Sequence, residues 1–195
     1  ALFIANKSAS EVDFQNVLDS VTQGLEKHIY ADCDIALSQV LVERLKEMGE
    51  VLAVAESLTG GLVCAEIVDV AGASGVLHAG FVTYSNTAKV RRLHVKSSSI
   101  EQYGAVSRQV ADEMAQGLLS NRDVTLAIST TGCAGPDSDE RGTPVGEAYI
   151  AVASRAEKKI YRLMLSGDRN YIRRTVANAA MFYALKFIDN GKELQ

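Results

Sequence analysis

The spacing of apolar residues divides the chain unevenly. In residues 1–35 the positions Val12, Val17, Val21 and Leu25 give only weak helical periodicity, and this segment reads as an N-terminal extension or linker. From Leu37 to Gly49 the pattern sharpens: Leu37, Val40, Leu41, Leu45 and Met48 fall on one face, which predicts an amphipathic helix stopped by Gly49. Val51 to Ala55 is an unbroken, partly β-branched apolar run, as a strand buried on both faces would be. It halts at Glu56-Ser57-Leu58-Thr59 before Gly60-Gly61, and helical periodicity resumes at Leu62, Ala65 and Val68.

Past a small-residue turn at 71–75, Gly80 to Tyr84 reads as a second strand. Ser85-Asn86 opens a short helix over Thr87 to Leu93, and Ser97 to Ser99 opens another leading into Ile100 to Tyr103. Ser107 suits the N-cap of a longer helix with Val110, Met114 and Leu118 on its apolar face. Val124 to Thr130 is a third strand, and Glu147 to Ser154 with Lys159 to Leu165 form a hairpin turning near 155–157. A final helix runs from Asn170 to Ile188, with Ile172, Val176, Ala179, Ala180, Tyr183 and Phe187 on one face. This order predicts an α/β fold, a three-layer α/β/α sandwich around a mixed, partly parallel sheet occupying residues 36–195. No internal repeat is present.

Composition narrows the class. With 47% hydrophobic and 23% charged residues the 195-residue chain falls among soluble globular proteins. A net charge of −4 disfavours nucleic acid as a bulk partner. No run approaches the roughly 18–20 apolar residues of a membrane span, so no membrane partner is expected. Cys33, Cys64 and Cys133 are widely spaced and odd in number, which argues against a disulfide framework and fits a reducing cytoplasm. His28, His78 and His94 form no metal-ligating pattern, so no metal is expected.

Chemistry is most legible where strands end. Helical connections imply that the first three strands run parallel, which brings their C-terminal ends to one edge. One cleft would then hold Ser57, Thr59, Gly60, Gly61, Tyr84, Asn86, Lys89 and Thr131. A serine beside a desolvated lysine is a known route to a nucleophile without histidine, because burial lowers the lysine pKa and its neutral amine accepts the serine proton. Blander readings stand beside this one: Ser57 to Gly61 as an ordinary βα turn with a cap, Lys89 as a solvated helix lysine near Arg91 and Arg92, Tyr84 as a half-buried strand aromatic. Other templates fit poorly. Neither GxxxxGK[ST] nor GxGxxG occurs, and SxxK is excluded by Gly60. Tyr84 and Lys89 lie five apart, about 140° round a continuous helix, unlike a dehydrogenase pair on one helix face. The segment Thr131 to Gly146 holds both prolines and four glycines around a charged centre, and loops of this length are usually functional or mobile.

Four ordered motifs, AESLTGG, GFVTYSNTAKV, YGAVS and TTGCAGP followed by PVG, resemble the C-terminal domain of the CinA family, the nicotinamide-nucleotide amidases also called PncC. The resemblance covers about Leu37 to Ile188. It implies hydrolysis of the carboxamide of nicotinamide mononucleotide to nicotinate mononucleotide and ammonia, with no cofactor. By motif, Ser57 would be the nucleophile, Lys89 its general base and Tyr84 a proton relay or orienter. Backbone N–H groups around Thr59, Gly60 and Gly61 would receive the oxyanion. Asn86 would join the substrate cleft, while Thr131 and the loop Gly132, Ala134 and Gly135 would line the nicotinamide and ribose site. Arg169 would meet the 5′-phosphate or the carboxamide region, its alternative being an exposed helix-start arginine.

Departures from the family pattern are Leu58 where cysteine is usual, Cys133 where an aliphatic residue is usual, and the acidic Asp137, Asp139 and Glu140 where glycines are common. Glu26 to Asp34 (EKHIYADCD) is similar to the segment preceding this domain in two-domain members. With no initiator Met, that suggests a piece of a larger chain, Met removal before Ala1 being the alternative. The partners expected are thus a small-molecule substrate and, left open, an N-terminal domain of the same full-length chain and a second copy. The competing class is a non-catalytic nucleotide-sensing or partner-binding module that keeps the cleft.

Overall fold

The computed structural model describes residues 11–25 and 28–190 and separates the chain into two units, Ala1–Ala36 and Leu37–Gln195. Ala1, and Glu26-Lys27 of the EKHIYADCD segment, lie outside the described residues. In the first unit the weak periodicity produces helix α1 (Glu11–Thr22), whose Val12 and Val17 remain 70% and 52% exposed.

The second unit is built on a five-stranded sheet in the order β2-β1-β3-β4-β5. Strands β1 (Leu52–Glu56), β2 (Leu77–Val82) and β3 (Leu126–Gly132) are parallel, while β4 (Glu147–Ala153) and β5 (Lys158–Met164) form the antiparallel hairpin. Helices α4 (Asn86–Leu93), α5 (Ser97–Tyr103) and α6 (Arg108–Leu119) cover one face. The other face carries α2 (Leu37–Met48), α3 (Leu62–Val68) and α7 (Arg169–Asn190). The three-layer α/β/α sandwich expected from the element order is therefore present. Among the described residues, no helix is long and apolar enough to cross a membrane.

Burial explains the layers. All five residues of β1 are buried, and the pleat sends Ala53 and Ala55 into a cluster with Leu93, Val110, Met114 and Leu118 under α4 and α6. Alternate positions Leu52, Val54 and Glu56 therefore face the α3 and α7 layer. The α4 helix is started by Ser85, whose side-chain oxygen accepts the Ala88 N–H at 3.1 Å.

Most boundaries shift by one or two residues, and those of β2 and β3 bear on the site. Strand β2 begins at Leu77 rather than Gly80 and ends before Thr83, because as an edge strand it is half-exposed and carries no continuous apolar run to mark it. Strand β3 extends through Thr131 and Gly132, since pairing with β4 continues to Gly132 opposite Ala148. Those two residues are strand, and the loop proper spans 133–146.

The register of α4 depends on Gly117 in α6. A Cβ there would lie well inside van der Waals contact with the Leu93 carbonyl, so the missing side chain is what lets α6 pack against the end of α4. Helix propensity alone makes Gly117→Ala stabilising by about 1 kcal/mol. We expect the opposite, a loss of about 2–3 kcal/mol in denaturant unfolding, because overpacking against backbone dominates.

Candidate active site

The end of β1 distributes its side chains to opposite layers. Ser57 follows Glu56 and turns toward α4, where its Oγ lies 3.0 Å from Lys89 Nζ. Lys89 is 1% exposed, on the inner face of a helix whose Arg91 and Arg92 stay in solvent. Its amine donates to the Thr83 carbonyl at 2.8 Å and lies 3.5 Å from the Tyr84 carbonyl. No acidic side chain forms an ion pair with it among the described residues. Burial alone thus pushes its pKa from 10.5 down to about 8. At pH 7 about a tenth is then the free amine, far more than for an ordinary lysine, and its two N–H bonds suit the two carbonyls while its lone pair faces Ser57. This pair can activate a serine without histidine.

Glu56, fully buried, was not singled out by sequence reasoning. Its carboxylate accepts the N–H groups of Gly61 at 2.8 Å, Val63 at 3.3 Å and Cys64 at 3.0 Å, so it caps α3 from its own strand. Burial, reinforced by that carboxylate, raises the neighbouring Cys64 thiol to about 12 and leaves it inert. Arg173 on α7 was also missed. Its Nε and Nη2 donate to the carbonyls of Leu58 and Thr59, each at 2.9 Å, across the bare Cα of Gly60. The sequence signals were weak: an acidic residue ending an apolar strand, and an arginine pair in the first turns of an amphipathic helix.

These contacts revise the expected oxyanion donors. The Gly60 N–H goes to the Ser57 carbonyl at 3.1 Å and the Gly61 N–H to Glu56. Among the described residues, the Leu58 and Thr59 N–H groups, beside the serine, are left without a hydrogen-bond partner. Thr59 and Thr131 offer no free hydroxyl either. The Thr59 hydroxyl is shared with Thr130 at 2.7 Å, and the Thr131 hydroxyl donates to the Ala105 carbonyl at 2.7 Å. Both side chains therefore shape the site rather than reach into it.

Around the rim, Arg169 donates to the Gly135 carbonyl and, at 3.0 Å, to the Tyr84 hydroxyl. Tyr84 is 62% exposed, and its contact with Lys89 runs through its backbone carbonyl, not its hydroxyl. The geometry brings Tyr84 to Arg169 rather than into a proton relay with the serine and lysine. Asn86 is exposed at the first turn of α4. Gly132 packs tightly, with Ala148, Glu147 and Leu58 each 2.8 Å from where a Cβ would stand; Ala134 is buried. Of the acidic loop residues, Asp139 accepts from Thr143 and Arg141, which holds its carboxyl below the usual range. Arg141 in turn grips the carbonyls of Glu101 at 2.8 Å and Gln102 at 3.2 Å at the end of α5. Among the described residues no cluster of His, Cys, Asp or Glu is arranged to hold a metal ion.

Comparison with known proteins adds the lineage. The family model of the CinA C-terminal domain matches residues 34–188. A putative competence-damage inducible protein of Caldicellulosiruptor saccharolyticus is 40% identical over 97% of this chain and 47% of its own length. A CinA-like protein of Kosmotoga olearia is 37% identical over 94% of this chain and 43% of its own. The chain thus spans less than half the length of these curated relatives. Among solved structures, a CinA superfamily protein from Klebsiella pneumoniae superposes with a TM-score of 0.76 at 29% identity, covering 79% of this chain and 96% of that one. One from Escherichia coli gives 0.71 at 31% identity, covering 83% and 95%.

The buried amine makes stability depend on pH in a defined direction. Between about pH 8 and 10.5 the unfolded chain holds a proton on Lys89 that the folded chain has released, so raising pH through that window favours the fold. Relative to Lys89→Met, in which other titrations cancel, the wild type should gain up to about 3 kcal/mol across the window in denaturant unfolding. A constant difference between the two proteins would show that Lys89 is not depressed.

Proposed function

We infer the reaction from one premise: the chain belongs to the CinA family, whose C-terminal domain it carries. The function we propose is an amidohydrolase that converts nicotinamide mononucleotide and water to nicotinate mononucleotide and ammonia, as the resemblance of its motifs to nicotinamide-nucleotide amidases implies. The observation that supports it best is the 3.0 Å contact between Ser57 Oγ and a lysine amine that is 1% exposed.

In this reading Lys89, neutral, takes the proton of Ser57 as its oxygen bonds to the carboxamide carbon. The negative oxygen is received by the unpaired Leu58 and Thr59 N–H groups. Collapse breaks the C–N bond, and the proton on Lys89 passes to the leaving nitrogen, which departs as ammonia. Water then attacks the acyl-serine with Lys89 again taking its proton; the bond from carbon to the Ser57 oxygen breaks, Lys89 returns the proton to that oxygen, and the acid formed releases its own proton to solvent as the carboxylate. Arg169, fixed between Gly135 and Tyr84, supplies the cation for the 5′-phosphate or the carboxamide region. Asn86, Thr131, Gly132, Ala134 and Gly135 form the surrounding walls, and Tyr84 orients Arg169.

Ammonia release from nicotinamide mononucleotide by wild type tests this, with Ser57→Ala and Lys89→Ala alongside and free nicotinamide as a second substrate. Ser57→Ala should lose at least about 10³-fold in kcat. Lys89→Ala should lose about 10²- to 10⁴-fold in kcat with KM little changed, because a base acts in the transition state. Wild-type kcat/KM should rise with pH to a plateau above about 8, as the amine deprotonates. Activity retained in Ser57→Ala would sink the mechanism, and no release by wild type would leave the binding-module reading.

A further inference from the structure

The turn carrying Ser57 is restrained from its carbonyl side. A trans peptide unit directs its N–H opposite to its C=O, so whatever fixes the carbonyl fixes the donor. In the Ser57–Leu58 unit the carbonyl accepts the Gly60 N–H at 3.1 Å. In the Leu58–Thr59 unit it accepts Arg173 Nε at 2.9 Å, and in the next unit the Thr59 carbonyl accepts Arg173 Nη2 at 2.9 Å. The N–H ends of the first two units are the two unpaired donors beside the nucleophile. Gly60 is what admits the guanidinium: its φ is +62°, and a Cβ there would lie 2.9 Å from Nη2.

We propose that Arg173 is a positioning residue for the oxyanion donors: its guanidinium holds the Leu58–Thr59 peptide in place and polarises it, strengthening the Thr59 N–H toward the negative oxygen formed when Ser57 attacks. A charge-assisted hydrogen bond on the carbonyl draws electron density from the amide, and hydrogen bonds in a chain reinforce one another. Both carbonyls need the planar fork of arginine, which lysine lacks. The inference rests on the serine hydrolase part of the proposed function, and not on the identity of its substrate.

Phosphonylation by a fluorophosphonate tests it without nicotinamide mononucleotide. The Ser57 oxygen bonds to phosphorus, the P–F bond breaks, fluoride leaves, and the serine proton passes to Lys89. Negative charge gathers on the phosphoryl oxygen as it would on the carboxamide oxygen. Labelling followed by intact mass, with the site mapped by peptide digestion, gives a saturating rate and a half-saturating concentration. Arg173→Met should lower the saturating rate about 10- to 100-fold, less than deleting a donor outright. Half-saturation should move less than about threefold, and the pH midpoint of labelling should stay at the wild-type value because Lys89 is untouched. Arg173→Lys should recover part of the rate, and the exposed neighbour variant Arg174→Met should match wild type. A wild-type saturating rate in Arg173→Met or in Arg173→Lys overturns the proposal, as does a loss that appears only as weaker half-saturation. Wild type that labels at Ser57 and releases no ammonia overturns the substrate assignment and leaves the role of Arg173 standing. Wild type that does not label at Ser57 overturns both.

Discussion

The pleat at the end of β1 is the constraint on which the site depends. Consecutive residues of a strand face opposite sides of the sheet, and the Ser57 N–H, one residue past β1, still donates to the Thr130 carbonyl at 3.0 Å, so the pleat carries on and sends Glu56 and Ser57 to different helix layers. Glu56 enters the α3 layer and is neutralised by three backbone N–H groups at that helix's start. Ser57 enters the α4 layer and meets Lys89. A one-residue slip would exchange the two, placing a carboxylate against the lysine and a hydroxyl against α3. Pairing on both sides, with β2 and β3, prevents it.

That separation also explains why the lysine amine is chemically useful. A carboxylate within reach would hold Lys89 as a cation, and it could then donate protons but not accept them. Glu56, the buried acid next to Ser57 in the chain, is instead committed to the start of α3. Lys89 faces only a hydroxyl and two carbonyls, which leaves desolvation unopposed. Keeping such a group buried in the charged form costs about 3 kcal/mol below its shifted pKa, and the rest of the domain has to offset it. The close packing of α6 on α4 at Gly117 and the apolar cluster beneath both helices supply the rigidity that keeps the amine from swinging into solvent.

Local pattern carried most of the fold. The strict periodicity of α2, the unbroken run of β1 and the serine before α4 each express one dominant physical preference, and the layers follow from helices alternating with parallel strands. What escaped was decided by tertiary pairing: the start of β2, an edge strand with only one neighbour, and the end of β3, which continues because β4 lies opposite. At the site, Ser57 and Lys89 were legible because their spacing and motif context are specific. Glu56 and Arg173 were not, since a carboxylate reaching across a turn, or an arginine reaching from a helix more than a hundred positions later, leaves no local signature. Thr59 and Thr131 were read as members of the cleft, but sequence carried no sign that their hydroxyls are taken up by Thr130 and the Ala105 carbonyl.

The acidic loop completes the electrostatic picture. Three acidic residues close to a site proposed to bind a phosphorylated substrate would be unfavourable if all three charges faced it. Asp139 is instead folded into its own loop by Thr143 and the Arg141 backbone, and the Arg141 side chain is drawn to the carbonyl end of α5. The loop is thereby fastened on the α5 side while Gly135, at its other end, is fastened by Arg169 to Tyr84. Asp137 and Glu140 remain exposed, where solvent and salt screen them over about 8–10 Å. The guanidinium of Arg169 is in hydrogen-bond contact with both Gly135 and Tyr84, so a cation is fixed at the rim beside the acidic loop.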